Sequence, residues 1–256
     1  MSCFTVAVLL MVPFAAAAQT SQPSDSLAIS LAQKSTLALT GGAQISDVTL
    51  NANVTSILGS DYETGSGILR AKGTGESRVD LNLTNITRSE VRSIAGGIPG
   101  GAWATNAAAS KGYPEHNCLT DAAWFFPALS SLSQTMNANF VFKYLGQAQH
   151  NGINAQHIQV FQVIPGFTTA QNLSAMDFYL DPVSFLPLSI DFNMHPDVDM
   201  NTNIPAEINF ANYQQVNGVQ VPFRIQRMLN GGVVLDITVS SAAFNTGLTD
   251  TLFTLP

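Results

Sequence analysis

One histidine and three aspartates lie close together in the second half of the chain and could bind a metal or support hydrolysis. His195, Asp197 and Asp199 fall within five residues, and Asp191 precedes them. An Asp-x-Asp spacing can present two carboxylate oxygens to a hard cation. The sequence has no second cluster with ligand spacing and no His-Glu-x-x-His motif, so a polar loop between two strands fits equally well. A hydrolase with a polar or metal site here is kept as an alternative function, and no metal or cofactor is assigned.

Other catalytic patterns are absent or incomplete. The chain has no Gly-x-Ser-x-Gly elbow, and Ser66 between Gly65 and Gly67 has the wrong spacing for one. Cys118 lies near His116 in sequence, but a catalytic pair needs proximity in space, and we expect a buried free thiol. The glycine pairs are not followed by the Lys-Ser/Thr of a phosphate-binding loop. The sequence therefore predicts a protein that is not an enzyme.

The N-terminal segment indicates an exported protein. Residues 1–18 hold a short apolar stretch and then a run of alanines, which predicts a cleaved signal peptide, although no Lys or Arg precedes the stretch. Residues 19–24 then form a polar linker, and 25–256 form a single domain. Only one cysteine remains after cleavage, so no intramolecular disulfide can form. We expect a periplasmic or secreted protein.

Composition limits the classes of partner. Charged residues make up 11% of the chain, and the net charge is −7. A negative chain with scattered cations is poorly suited to nucleic acid or to an anionic membrane surface. No second apolar run reaches about 18 residues, so stable membrane insertion is not expected after the signal is removed. We expect a monomer.

The hydrophobic pattern predicts one long antiparallel sheet with few helices. Residues 25–40 have helical spacing, with Ser24 as the cap and Gly41 at the end. Residues 119–136 form a second helical segment, which Pro127 must kink or restart. Alternating apolar and polar residues predict ten or eleven strands with short connections. These strands cover 48–55, 68–72, 78–84, 88–94, 138–145, 157–164, 176–180, 185–192, 206–213, 219–229 and 233–243.

Turn residues separate the strands of the second half. Asn217-Gly218 and Asn230-Gly231 favour tight hairpins. Asp181-Pro182 predicts a corner in which the Asp side chain binds nearby backbone. Pro187 cannot donate to a ladder, so it predicts an edge strand or the first residue of a strand. Residues 96–117, rich in glycine and alanine, are expected to form a loop.

The order of these elements resembles the LolA/LolB-like superfamily of periplasmic outer-membrane lipoprotein carriers. The resemblance rests on GILRAKG at 67–73, WFFPAL at 124–129, YLDPVSFLP at 179–187 and the closing DTLFTLP at 250–256. It implies a mainly β, α+β fold: a long curved antiparallel sheet forming a half-open β-barrel, covered by an N-terminal helix and a central helical insertion. No residue of this sequence can be matched to the cavity arginine of the carriers.

The resemblance also implies where a ligand would bind. The superfamily holds acyl chains in an apolar cavity, so the expected function is a non-enzymatic carrier for an apolar ligand, which would be an acyl chain, a lipid or a lipidated protein. Phe125 and Phe126 would form a lid. A structural or interaction module with a filled core is the remaining alternative. The inward strand positions expected to line the cavity are Val48, Leu50, Leu81, Phe178, Leu188, Ile190, Phe210, Phe223 and Leu235.

Overall fold

Thirteen antiparallel strands form one continuous sheet in the computed structural model, which describes residues 23–94, 99–106 and 108–255. The strands of the first half are β1 (Asp47–Leu58), β2 (Asp61–Lys72), β3 (Ser77–Leu83), β4 (Thr87–Ser93), β5 (Gly100–Thr105) and β6 (Lys111–Gly112). Those of the second half are β7 (Phe140–His150), β8 (Ile153–Gln162), β9 (Met176–Leu180), β10 (Pro187–Met194), β11 (Ile204–Val216), β12 (Val219–Leu229) and β13 (Gly232–Phe244).

The strand order explains the shape of the sheet. It runs β6-β5-β4-β3-β2-β1-β13-β12-β11-β10-β9-β8-β7, so two meanders meet where β1 pairs with β13. The connection from β6 to β7 must therefore cross from one edge of the sheet to the other. A twisted sheet of this many strands curls, and the crossing segment covers its concave face together with the N-terminal helix. The predicted half-open barrel is confirmed.

Two strands lie where a loop was predicted. β5 and β6 fall inside residues 96–117, and β5 pairs with β4 over its whole length. Their glycines and alanines show little strand propensity, so pairing with β4, rather than local sequence, selects the extended conformation. Elsewhere the predicted turns are confirmed. Asn217 and Asn230 have φ values of 49° and 48°, and each is followed by a left-handed glycine.

The N-terminal helix α1 (Ser26–Thr40) ends, as predicted, at a left-handed glycine. Its start differs from the prediction, because Ser24 does not cap the helix. Instead the Oγ of Ser24 accepts a hydrogen bond from the backbone N–H of Phe142 at 3.1 Å. Asp25 accepts one from the backbone N–H of Tyr144 at 3.0 Å. These bonds occupy the free edge of β7, which would otherwise be open to pairing with another chain.

The central insertion, residues 113–139, is not the helical segment that was predicted for 119–136. It contains short 3₁₀ turns at Pro127–Leu129 and Ser131–Ser133. Its backbone carbonyls bind groups elsewhere in the fold, above all the guanidinium of Arg92 on β4. These tertiary hydrogen bonds compete with the local ones that a helix would need, and Pro127 has no N–H to give.

The corner at Asp181 has the predicted form. One carboxylate oxygen of Asp181 accepts the backbone N–H groups of Val183 and Ser184 at 3.0 and 2.7 Å. Pro187 is the first residue of β10, as expected, although β10 is an inner strand of the sheet. Its carbonyl accepts the phenolic hydroxyl of Tyr213 at 2.8 Å. Asp181 is therefore a structural residue.

The predicted signal peptide at residues 1–18 and residues 19–22 of the linker lie outside the described residues. Across the ranges that are described, no helix is both long and apolar enough to cross a membrane.

Candidate ligand cavity on the concave face

A cavity of about 250 Å³ lies on the concave face, between the strands and the central insertion. Leu58, which is 67% exposed, belongs to its wall, so the cavity reaches the surface there. An apolar cavity with a few polar groups is the usual form of a small-molecule site. The apolar residues of the wall are Leu58, Val79, Leu81, Trp124, Met194, Leu229, Val234 and Leu235.

Strand pairing brings charged residues into this apolar wall. Val79 and Leu81 are buried on β3, and Asp80 between them belongs to the opposite face of the sheet. In the β3–β4 register, Leu81 lies opposite Arg88 and Val79 lies opposite Glu90. Residues that are directly opposite in antiparallel strands share a face. Arg88 and Glu90 therefore face the cavity, and both belong to its wall.

β12 and β13 supply the other side of the wall. Arg227 of β12 lies opposite Ile208 of β11 and Leu235 of β13, both of which are buried. The register shifts just after this pair, and Met228 lies opposite Val233. The extra residue on β13 is Val234, which joins the wall. Such a bulge redirects one side chain without ending the strand.

Glu90, Arg88 and Tyr113 form a closed hydrogen-bonded group in the wall. Glu90 is buried and accepts the hydroxyl of Tyr113 at 2.9 Å, with the guanidinium of Arg88 at 3.7 Å. Burial, and then the charge of Glu90, raise the pKa of Tyr113 to about 12, so its hydroxyl stays a donor at neutral pH. Arg88 also lies over the ring of Trp103. The charges of Arg88 and Glu90 cancel.

Arg227 and Trp124 form a second polar group with unused donors. The Cζ of Arg227 lies 5.2 Å from the centroid of the Trp124 ring, which is cation–π geometry. Nη2 of Arg227 contacts the Sδ of Met194 at 3.5 Å. Trp124 is only 3% exposed, and its Nε1–H has no hydrogen-bond partner within the described residues.

The predicted lining residues divide into three groups. Leu81 and Leu235 line the cavity. Leu188 lies apart, at a register irregularity of β10, and borders a separate surface groove with His150 and Asn209. The rest belong to the buried core or pack against it, so their contact with a ligand stays a prediction; they are Val48, Leu50, Phe125, Phe126, Phe178, Ile190, Phe210 and Phe223. Phe210 also borders the groove of Leu188.

The cluster around His195 does not converge on one site. The Nδ1–H of His195 donates to the carbonyl of Thr202 at 3.1 Å. Asp199 accepts the hydroxyl of Thr202 and the backbone N–H of Asn201, within its own loop. Asp197 is exposed. No set of three or more His, Cys, Asp or Glu side chains could hold a metal ion in the part of the chain that the structure describes. The hydrolase alternative is not favoured.

The three charged residues of the wall were missed in the sequence analysis. Arg227 has the parity of Ile225 on β12, so the alternation did place it on the apolar face, and extending that pattern would have found it. Arg88 and Glu90 could not be found in this way, because β4 shows no apolar alternation. Only the register of β4 against β3 decides their face.

Comparison with known proteins identifies the fold. No protein-family model matches the sequence, and no curated protein is similar to it. Among solved structures, a Vibrio parahaemolyticus domain assigned as an outer membrane lipoprotein-sorting protein has a TM-score of 0.60 at 15% identity, covering 89% of this chain and 96% of that one. A LolA superfamily protein from Nitrosomonas europaea has a TM-score of 0.57 at 13% identity, covering 89% and 97%.

A third structure agrees with these two. A DUF1329 family protein from Desulfovibrio piger has a TM-score of 0.56 at 11% identity, covering 91% of this chain and 98% of that one. At such identities the likeness concerns the fold, and it extends over nearly the whole described domain. The resemblance seen in the order of elements is confirmed: this chain has the LolA-like fold, with a cavity on the concave face of its half-open barrel.

Proposed function

We propose that the protein is a non-enzymatic binding or carrier protein that holds an apolar ligand, in the form of an acyl chain of a lipid or of a lipidated protein, in the concave cavity. The observation that carries this proposal is the apolar cavity of about 250 Å³ that reaches the surface of a LolA-like half-barrel. The similar Vibrio domain is assigned to lipoprotein sorting, and a lipoprotein carries acyl chains, which supports the same class of ligand here. The N-terminal signal predicted for residues 1–18 supports a periplasmic or secreted location.

Burial of apolar surface would supply the binding energy. Each methylene that moves from water into the cavity is worth about 0.8 kcal/mol, so about six methylenes contribute roughly 5 kcal/mol before the costs of association. Leu81 and Leu235 would contact the acyl chain. A longer chain needs the insertion to move, because Phe125 and Phe126 cover the rest of the concave face and are fully buried.

The proposal is tested by filling the cavity. Val234 is half-buried in the wall, so Val234→Trp fills the cavity with little effect on the core. Val183→Trp is the matched control, because Val183 is 85% exposed at the corner before β10. Calorimetric titration with decanol, a neutral ten-carbon chain, should show binding to the wild type and to the control. Binding to Val234→Trp should be at least tenfold weaker.

Native mass spectrometry of protein purified from its own envelope provides a second measurement, and a co-purifying lipid is expected. A clean apo mass together with no decanol binding would refute the proposal. So would equal binding by the two tryptophan variants when their urea midpoints show that both are folded.

A further inference from the structure

Arg227 differs from the other arginines in its hydrogen bonding. Each of the other five donates to at least one oxygen atom, and these five are Arg70, Arg78, Arg88, Arg92 and Arg224. Among the described residues, the one hydrogen-bond acceptor of Arg227 is the thioether of Met194, which is a weak acceptor. Throughout the described ranges, no carboxylate lies within ion-pair distance of Arg227. Its guanidinium, with five N–H donors, is left without an acceptor of matching strength.

A second unused donor lies beside the guanidinium. Trp124 packs under Arg227, and its buried Nε1–H has no partner among the described residues. Leaving a buried donor unpaired lowers stability, so native proteins rarely do so. Trp124 and Arg227 both belong to the cavity wall. Both side chains therefore belong to the proposed ligand site.

The remaining polar groups of the wall leave a net positive charge. Glu90, the carboxylate of the wall, is occupied by Tyr113 and by the guanidinium of Arg88. The charges of Arg88 and Glu90 cancel, so Arg227 leaves the wall with one positive charge. The protein as a whole has a net charge of −7. Two unused donors and no free carboxylate are complementary to an anion. A guanidinium binds carboxylate or phosphate through two parallel hydrogen bonds, which adds both strength and orientation.

The geometry points to an anionic headgroup on the ligand: the cavity takes an acyl chain that ends in a carboxylate or phosphate, bound by the guanidinium of Arg227 and the indole N–H of Trp124. This inference rests on the proposed function, since the chain itself is bound by the apolar wall. The cation–π contact with Trp124 restricts the guanidinium, so its donors are partly ordered before the ligand arrives. The charge of Arg227 would thus favour anionic headgroups among ligands whose acyl chains bind equally well.

The test compares three ligands with the same ten-carbon chain: decanoate, decyl phosphate and decanol, titrated calorimetrically at pH 7.5 and low salt. The wild type should bind the two anions at least tenfold more tightly than decanol. Arg227→Gln should remove that preference and leave decanol binding within twofold. Arg227→Lys should retain part of it, because the charge remains but the paired hydrogen bonds do not. Trp124→Phe, which keeps an aromatic ring and removes the N–H, should reduce it severalfold.

Arg224→Gln is the matched control. Arg224 lies on the same strand but pairs with Asp236 on the other face, so its loss changes the net charge and leaves the cavity intact. It should keep the full preference for the anions. Equal binding of all three ligands, unchanged in Arg227→Gln, would overturn the headgroup inference and leave the carrier proposal standing. No binding of any ligand would overturn both. A preference between the anions identifies the source, a fatty acid for decanoate or a phosphate-bearing lipid for decyl phosphate.

Discussion

Arg92 is predicted to hold the central insertion on the sheet. It is only 8% exposed, and it lies on the cavity side of β4. Nη1 donates to the carbonyl of Asp121 at 3.0 Å, and Nη2 donates to the carbonyls of Asn117 and Thr120 at 3.1 and 2.9 Å. Arg92→Met keeps much of the volume and removes all of these donors. Three backbone carbonyls of the insertion then lose a charged partner.

The expected loss follows from these bonds. A hydrogen bond from a charged donor contributes about 1.5–3 kcal/mol, but the three share one side chain and are not additive. We therefore expect Arg92→Met to lower the free energy of unfolding by about 3–5 kcal/mol, the usual range for breaking a buried polar network. With a urea slope of about 2 kcal/mol per molar, the midpoint should fall by roughly 2 M. Amides of residues 113–139 should also lose protection from hydrogen exchange.

The control for this prediction is Arg224→Met. Arg224 is also a strand arginine in an ion pair, but its side chain is 49% exposed, so its loss should cost no more than about 1 kcal/mol. If Arg92→Met unfolds at the same urea concentration as this control, the reasoning is refuted. The insertion would then be held by its buried aromatic residues alone.

Three further predictions concern the stability of the sheet. Burial, together with a neighbouring carboxylate, raises the pKa of Asp191 to about 6, so the contribution of Asp191 to stability should fall as pH rises from about 4 to 6. Asp191→Asn should be more stable than the wild type by about 1–2 kcal/mol at pH 7.5 in urea unfolding, with no difference at pH 4. Burial alone would raise the pKa of Asp47, but hydrogen bonds from the chain after β13 lower it. Asp47→Asn should therefore lower the free energy of unfolding by about 1–3 kcal/mol at pH 7 in the same assay. The difference from the wild type should shrink as pH falls below 3.8, and a difference that stays constant with pH would contradict the reasoning. A β-carbon at Gly65 would lie 2.0 Å from the carbonyl oxygen of Asn82 on β3, so Gly65→Ala should cost about 3 kcal/mol and lower the thermal midpoint, whereas Gly100→Ala, with no atom within 4 Å, should be nearly neutral.

Much of the fold could be predicted from the sequence because its signals are local. The alternation along β12 and β13 separates an apolar face from a polar one within each strand, without knowledge of the neighbours. The Asn-Gly pairs after β11 and β12 predict their turns because few other residues adopt the required positive φ. β5 carries no such pattern. Its strand conformation comes from pairing with β4, which the sequence of β5 alone does not reveal.

Some residues of the candidate site could also be predicted from local sequence, whereas others could not. Leu81 and Leu235 were predicted to line the cavity because strand alternation places them inward. Arg88 faces the cavity only because of its register opposite Leu81. Val234 reaches the wall only because the register shifts after Arg227. Each of these depends on the position of a partner strand, which side-chain type does not encode locally.

The sequence by itself determined the β class, the inward face of most strands and the order of elements that resembles the LolA-like carriers, because period-two alternation and turn residues act over a few positions. The tertiary structure decided which part of the apolar face stays uncovered. The connection from β6 to β7 must cross the whole sheet, and its path depends on contacts such as those of Arg92. The cavity lies between that crossing segment and the strands β3, β4, β12 and β13, which share one sheet only after β1 of the first half has paired with β13 of the second.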